Sequence, residues 1–300
     1  MKHKENKQWC VIFNPTARGD KAAQFRKNLE SVASQVDLKP TYAAGSAITI
    51  AEEAVEAGYD TVIAAGGDGT VNEVVNGMAV AKTKNRKIKL GIIPFGTMNV
   101  FARELKIPLD FASSWNRIVA HQTREVDLPK ATFSVNGKSV EKYFVQIAGA
   151  GLDSRAIELM DWKTKKRFGS LAYIVSGLKA LGSCPVIKIE ADENTFAGKI
   201  VLIGNGRLYG GPFEFFPGAS LTDGMLSLCM ASRLNFSAAL RLTRTVILKS
   251  IKQSSEFSQI KAKEITLTGS PDSCFQLDGD VVGQLPVKFS VEPKRLRVIV

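Results

Sequence analysis

Apolar and polar positions along the first 127 residues alternate on the scale of strand, turn and helix. Short apolar runs at Trp9–Phe13, Leu38–Ala43, Thr61–Ala65 and Lys89–Ile93 have the length of buried strands. Each is followed by a stretch with helical spacing, at Lys21–Gln35, Ala47–Ala57, Val71–Ala81 and Val100–Leu105. Strands separated by helices of this size are joined by right-handed crossovers, which predicts a three-layer α/β domain with a mainly parallel sheet. After Asp127 the rhythm is that of strands. Asn136-Gly137 between Ala131–Val135 and Ser139–Ile147 predicts a hairpin, and Val186–Glu190, Lys199–Ile203, Glu264–Thr268 and Val287–Val291 read as further strands. Two helical stretches, Ser154–Leu181 and Phe236–Lys252, interrupt them. The expected organisation is an α/β domain over residues 1–127, then a mostly β, sandwich-like domain with two helices over residues 128–300.

The 300 residues carry 40 Lys and Arg against 29 Asp and Glu, a net charge of +11. That excess favours anionic partners: nucleotides, nucleic acid or an acidic bilayer surface. No RRM, KH, zinc-finger or basic-zipper pattern is present, so nucleic acid is not expected. Cys10, Cys184, Cys229 and Cys274 lie far apart with no C-x-x-C pair, which argues against a zinc site and suits reduced thiols in a cytoplasmic setting. His3 in a polar tail and His121 in a helical stretch, both expected at the surface, leave little for a triad or a multi-His metal site. The charged residues 1–8 are followed by only five apolar residues, too few for a signal-peptide core, and no run reaches the ~18 apolar residues of a membrane span. Any membrane contact is then peripheral.

The strongest local signal is Ala65-Gly66-Gly67-Asp68-Gly69-Thr70-Val71-Asn72-Glu73, between an apolar strand and a helix. Three glycines let backbone amides approach an anion, and the helix adds its positive N-terminal end. A tight turn capped by Asp68 or Thr70 explains the glycines equally well. Asn14-Pro15-Thr16-Ala17-Arg18-Gly19 follows the first strand and Pro94-Phe95-Gly96-Thr97-Met98-Asn99 the fourth, so three turns converge on the carboxyl edge of the sheet, where α/β folds place ligands. Convergence favours a nucleotide cleft. G-x-x-x-x-G-K-[ST] is absent, and Gly149-Ala150-Gly151 and Gly204-Asn205-Gly206 lack a third glycine in register, so they read as turns or tight backbone contacts. Trp162-Lys163-Thr164-Lys165-Lys166-Arg167-Phe168 places four positive charges among aromatic residues, suited to an anionic membrane or, more commonly, to a solvated helix face.

Asn14-Pro15-x-x-x-Gly19, Gly66 to Thr70 with Asn72-Glu73, Pro94-x-Gly96-Thr97-x-Asn99 with Ala102-Arg103, Asp223-Gly224 and Asp278-Gly279-Asp280 occur in the order and approximate spacing of a known family. Over nearly its whole length the chain resembles the soluble diacylglycerol-kinase-like lipid kinases. The Gly-Gly-Asp-Gly motif alone is shared with NAD kinases and phosphofructokinases. The resemblance implies an ATP-binding catalytic domain over residues 1–127, with Asn14, Thr16, Thr41, Gly66, Gly67, Asp68, Gly69, Thr70, Asn72 and Thr97 at the nucleotide. It implies Mg2+ at Ser220, Asp223 and Met225, with Asp223 as the carboxylate ligand, and Asp280 as general base, with Asp68 in the catalytic carboxylate network. The implied reaction is transfer of the γ-phosphate of ATP to the hydroxyl of a membrane lipid, most directly diacylglycerol, by a cytoplasmic protein at an anionic membrane surface. A homodimer is compatible with the sequence and not specified by it. Two positions depart from the family pattern: Val100 stands where many bacterial members have Asp, and Asp280 where Glu is usual. The alternatives are an NAD kinase, and a nucleotide-responsive peripheral membrane protein with little catalysis.

Overall fold

The computed structural model describes residues 9–15, 20–82, 88–151, 154, 185–231, 257–270 and 272–300. They divide into two units, Met1–Val126 with Lys294–Val300, and Asp127–Pro293. Apart from Ser154, the expected helices at Ser154–Leu181 and Phe236–Lys252 lie outside the described residues, as do the basic stretch Trp162–Phe168, Thr16, His3 and Cys184.

In the first unit, strands β1 (Trp9–Phe13), β2 (Asp37–Pro40), β3 (Thr61–Gly66) and β4 (Lys89–Pro94) alternate with helices α1 (Asp20–Val32), α2 (Ser46–Glu56) and α3 (Asp68–Val80), and α4 (Val100–Glu104) and α5 (Phe111–Ala120) follow. The strands lie parallel in the order β2-β1-β3-β4, and Arg297 and Val298 from the last strand of the chain pair parallel with Lys89 and Leu90 of β4. Every residue of β3 is buried, which is why it reads as an unbroken apolar run. Phe25, Leu29 and Val32 of α1 and Trp115 and Ile118 of α5 cover one face, against Val11, Ile63, Ala65 and Ile93. The alternate residues Ile12, Val62, Ala64 and Ile92 are also buried and face the α2–α3 layer. There the helices approach so closely that a Cβ on Gly77 would meet the Ile48 carbonyl oxygen and lie 2.7 Å from Ala51 Cβ.

β2 stops at Pro40, before the apolar run does, because Ser46 Oγ accepts the Tyr42 and Ala43 N–H groups (3.2 and 3.3 Å) that a longer strand would give to its neighbour. The expectation that His121 is a surface residue is corrected. His121 is the left-handed C-cap of α5 (φ 58), half-buried, stacked on Trp9 with ring centroids 5.0 Å apart and with Nδ1 3.1 Å from Lys89 Nζ.

In the second unit, β5 (Thr123–Val135), which starts in the first, and β6 (Lys138–Tyr143) form the expected hairpin, with Asn136 and Gly137 at φ 51 and 76. β7 (Ile147–Gly151), β8 (Ile187–Ala191), β9 (Asn194–Gly198), β10 (Ile200–Gly204), β11 (Leu208–Tyr209) and β12 (Phe213–Glu214) follow. The remaining strands are β13 (Leu226–Ala231), β14 (Ser258–Ala262), β15 (Glu264–Thr268), β16 (Cys274–Leu277), β17 (Asp280–Gln284) and β18 (Val287–Ile299). One antiparallel sheet has the order β14-β13-β10-β7-β16-β17, and in a second the start of β18 pairs with β15, then β8 and β9. Ala148, Ala150, Val201, Ile203, Leu228 and Phe275 of the first sheet share a core with Ile187, Ile189, Ile265, Leu267 and Phe289 of the second, making a β sandwich. The other face of the first sheet is also covered, with Ile200, Leu202 and Cys229 against Phe215 and Phe216.

One glycine of each of the two pairs of this half is at a close contact. A Cβ on Gly151 would meet the Lys199 carbonyl oxygen, and one on Gly204 would lie 2.5 Å from the Phe216 ring. Burial pushes the Cys10 and Cys229 thiols up to about 12, so both are unreactive packing residues.

Candidate active site

Because β1, β3 and β4 are parallel neighbours, their carboxyl ends at Phe13, Gly66 and Pro94 fall on one edge of the sheet. The glycine turn leaves β3 there. The Gly66 carbonyl accepts the Phe95 N–H at 2.8 Å, tying this turn to the one after β4, and the Gly67 carbonyl accepts Val71 N–H at 3.1 Å as α3 begins. A Cβ on Gly96 would lie 2.5 Å from Gly67 Cα and 2.7 Å from Asn99 Oδ1, and one on Gly67 would lie 3.0 Å from Gly96 Cα. These two glycines therefore let one turn rest on the other. A Cβ on Gly66 would meet Thr70 Oγ1, so Thr70 folds back over the strand end. Gly69 is exposed with nothing within 4 Å of its Cβ position, leaving the N-terminal end of α3 open to an anion.

The third turn is shaped by Asn99, buried and left-handed (φ 49) at the N-cap of α4. Its carboxamide accepts the Gly96 N–H and donates to the Gly96 carbonyl, both at 2.8 Å, closing a loop that leaves Thr97 exposed at its tip. Asp68 reaches across from the glycine turn, and its Oδ1 accepts the Val100 N–H at 2.7 Å. Burial raises the Asp68 carboxyl above the usual range, while the amides of Val100, Phe101 and Asn99 pull it down. Asp68 is thus the N-terminal cap of α4, supplied by another turn.

Glu73, one helical turn beyond Thr70, clamps a further loop. Its Oε1 accepts the Gly45 N–H at 3.0 Å and its Oε2 the Ala47 N–H at 3.1 Å, at the start of α2. Thr41 donates its N–H to the Phe13 carbonyl at 2.8 Å, so this loop begins beside the end of β1, where Asn14 stands exposed. Asn72 is buried and accepts from Asn76 Nδ2 through Oδ1 at 3.1 Å. Of the expected nucleotide residues, Asn14, Thr41, Gly66, Gly67, Asp68, Gly69, Thr70 and Thr97 lie on this edge, and Asn72 is enclosed within α3.

In the second unit, Asp278 and Gly279 turn β16 into β17, both left-handed (φ 47 and 93). The Asp278 carboxylate accepts three successive backbone N–H groups, from Val145 (2.8 Å), Gln146 (2.9 Å) and Ile147 (3.0 Å). The Gly279 N–H is taken by Gln276 Oε1 at 2.7 Å. This fixed turn presents the exposed Asp280 at the first position of β17. Asp127 caps the turn at Gly224, whose N–H it accepts at 2.7 Å, and Asn205 donates to the Val145 and Asp127 carbonyls (2.9 and 3.2 Å). Nothing in the sequence marked these two residues, whose partners lie 60 to 97 positions away.

At the position expected for a metal, the Asp223 carboxylate has a side-chain partner. Asp223 Oδ2 is 2.6 Å from Lys261 Nζ and its Oδ1 accepts the Met225 N–H at 3.1 Å, while Ser220 Oγ is 3.2 Å from Thr222 Oγ1. The Asp223 carboxylate, the one charged group of the set Ser220, Asp223 and Met225, is thus paired with a partly exposed ammonium. Among the described residues no group of three His, Cys, Asp or Glu side chains could hold a metal.

Residues 8–131 match the diacylglycerol kinase catalytic domain, and residues 146–300 the YegS C-terminal NAD kinase beta sandwich-like domain. The diacylglycerol kinases of Staphylococcus epidermidis and Bacillus subtilis are each 32% identical to this chain over 290 and 288 residues, covering 93% of it and 87% and 91% of their own lengths. A diacylglycerol kinase structure from Bacillus anthracis superposes with a TM-score of 0.72 at 22% identity, covering 98% of this chain and 96% of that one. Yeast NADH kinase in complex with NADH shares the fold at a TM-score of 0.55 and 10% identity, over 97% and 82% of the two chains. Identity of this order along nearly the full length of curated relatives places the chain in the diacylglycerol kinase family, as an ATP-dependent kinase with an alcohol acceptor.

Proposed function

We propose that this chain transfers the γ-phosphate of ATP to the free hydroxyl of diacylglycerol or a closely related membrane lipid. The observation that carries the reading is the 32% identity to curated diacylglycerol kinases over 93% of the chain. The site geometry supports a mechanism. The triphosphate lies against the open N-terminal end of α3 at Gly69 and Thr70, with Asn14, Thr41 and Thr97 about it. Phosphoryl transfer asks little covalent chemistry of the protein, so fixed amides and helix ends do most of the stabilising. Asp280 takes the proton from the lipid hydroxyl as its oxygen bonds to the γ-phosphorus, the bond to the β-phosphate oxygen breaks, and ADP leaves. A magnesium ion bound with ATP would offset the charge on its phosphates. The net charge of +11 supports action at an anionic membrane from the cytoplasmic side. Among the described residues no helix is long and apolar enough to cross a membrane.

The test is transfer of radiolabelled phosphate from ATP to diacylglycerol, sphingosine and ceramide in mixed micelles, with NAD as a further acceptor. Label on diacylglycerol is expected. Label on NAD alone, or on no acceptor, overturns the proposal.

A further inference from the structure

Tyr42 is the most exposed large apolar or aromatic side chain among the described residues, at 78%. An exposed tyrosine on a floppy loop would mean little, but this one stands on a turn fixed from three sides. Thr41 N–H is bonded to the Phe13 carbonyl at 2.8 Å, which holds the turn beside the end of β1. Ser46 Oγ accepts the N–H groups of Tyr42 and Ala43 and donates to the Ala43 carbonyl at 2.6 Å. Glu73, on the helix that begins in the glycine turn, holds Gly45 and Ala47. The ring is therefore positioned without being packed, at the same sheet edge as the three turns.

The edge as built has what a triphosphate needs, in amides, hydroxyls and a helix end, but a purine base needs a flat apolar partner as well. The other aromatic residues nearby are committed elsewhere. Phe95 is stacked on Phe25 with centroids 4.0 Å apart in the α1 layer, and Phe13 packs into the same core. Tyr59 donates to Asp37 at the opposite end of β2, and Trp9 stacks on His121 at the start of β1. Tyr42 alone of these offers a free ring face.

We infer that Tyr42 is the stacking platform for the adenine base of ATP and so a determinant of nucleotide preference. This rests on the kinase reading of the same edge. Base–aromatic stacking is of a size to change affinity by about tenfold or more. Calorimetric titration of the wild-type protein, Tyr42→Ala, Tyr42→Phe and Tyr42→Trp with ATP, and separately with inorganic tripolyphosphate, tests it. Tyr42→Ala is expected to weaken ATP about tenfold and leave tripolyphosphate unchanged, with Phe and Trp both retaining ATP affinity. Wild-type ATP affinity in Tyr42→Ala, or equal losses for ATP and tripolyphosphate, overturns the assignment of Tyr42 while leaving the nucleotide site in place. Failure of the wild-type protein to bind ATP overturns the site and the inference together.

Discussion

The Asp68 carboxylate holds the backbone N–H of Val100 at 2.7 Å, binding the glycine turn to the first turn of α4. The link is made by the main chain of residue 100, not by its side chain. That accounts for how valine is accommodated where the resemblance leads one to expect aspartate: the cap on α4 does not depend on the side chain of residue 100.

Burial raises the Asp68 carboxyl above its ordinary value near ~4, so the native protein holds that proton more tightly than the unfolded chain does. A group shifted in this direction supports the fold fully below its unfolded pKa, and that support fades as pH rises through the folded value. Asp68→Asn keeps an acceptor for Val100 without the buried charge. Urea unfolding from about pH 4 to about pH 7 should show the variant gaining on wild type, then levelling once Asp68 is ionised. A flat difference across that range would mean that burial does not penalise the carboxylate.

Glu73→Ala removes the acceptor of two backbone N–H groups at once, those of Gly45 and Ala47. The expected loss is about 1–3 kcal/mol in urea unfolding, with faster amide exchange confined to residues 41 to 47. Glu73→Gln retains one acceptor oxygen and should fall between. Unchanged exchange in that loop would show that Glu73 does not hold it.

Asp280→Asn should lower kcat by about 10²–10⁴-fold with ATP affinity intact, because it removes a proton acceptor and nothing that touches the phosphates. Asp280→Glu should keep measurable activity. Full activity in Asp280→Asn would refute the base assignment, whereas loss of ATP binding would make Asp280 a structural or metal-linked residue.

Lys261 stands at Asp223 where the resemblance implied magnesium. Without nucleotide, the melting temperature of the wild-type protein should not respond to magnesium or to EDTA. Lys261→Met leaves the Asp223 carboxylate unpaired and should make melting rise with added magnesium, read by calorimetry. A wild-type protein that loses several degrees in EDTA would restore the metal to that loop.

Much of the fold was legible because β1, β3 and β4 are covered on both faces, so their apolar runs have little interruption and their ends fall within a residue or so of those expected. The end of β2 was not, since it depends on Ser46 turning back on the chain. The turns at the candidate site were visible from glycine content and position, but not what each glycine does. Local spacing cannot show that Gly67 and Gly96 touch, that Asp278 reaches amides 131 to 133 residues away, or that Lys261 meets Asp223 across 38. An alanine at Gly67 would bring its Cβ 3.0 Å from Gly96 Cα and so would report on the fit between the turns.

The pairing of Arg297 and Val298 with β4 bears on how the protein is made. Ile299 also enters the α1–α5 core, so the first unit draws part of its sheet and its interior from residues that follow the entire second unit. During translation the ribosome releases the glycine turn and its helices long before the strand that borders β4. The nascent first unit therefore waits with this edge of β4 unpaired until residues 297 and 298 have left the ribosome.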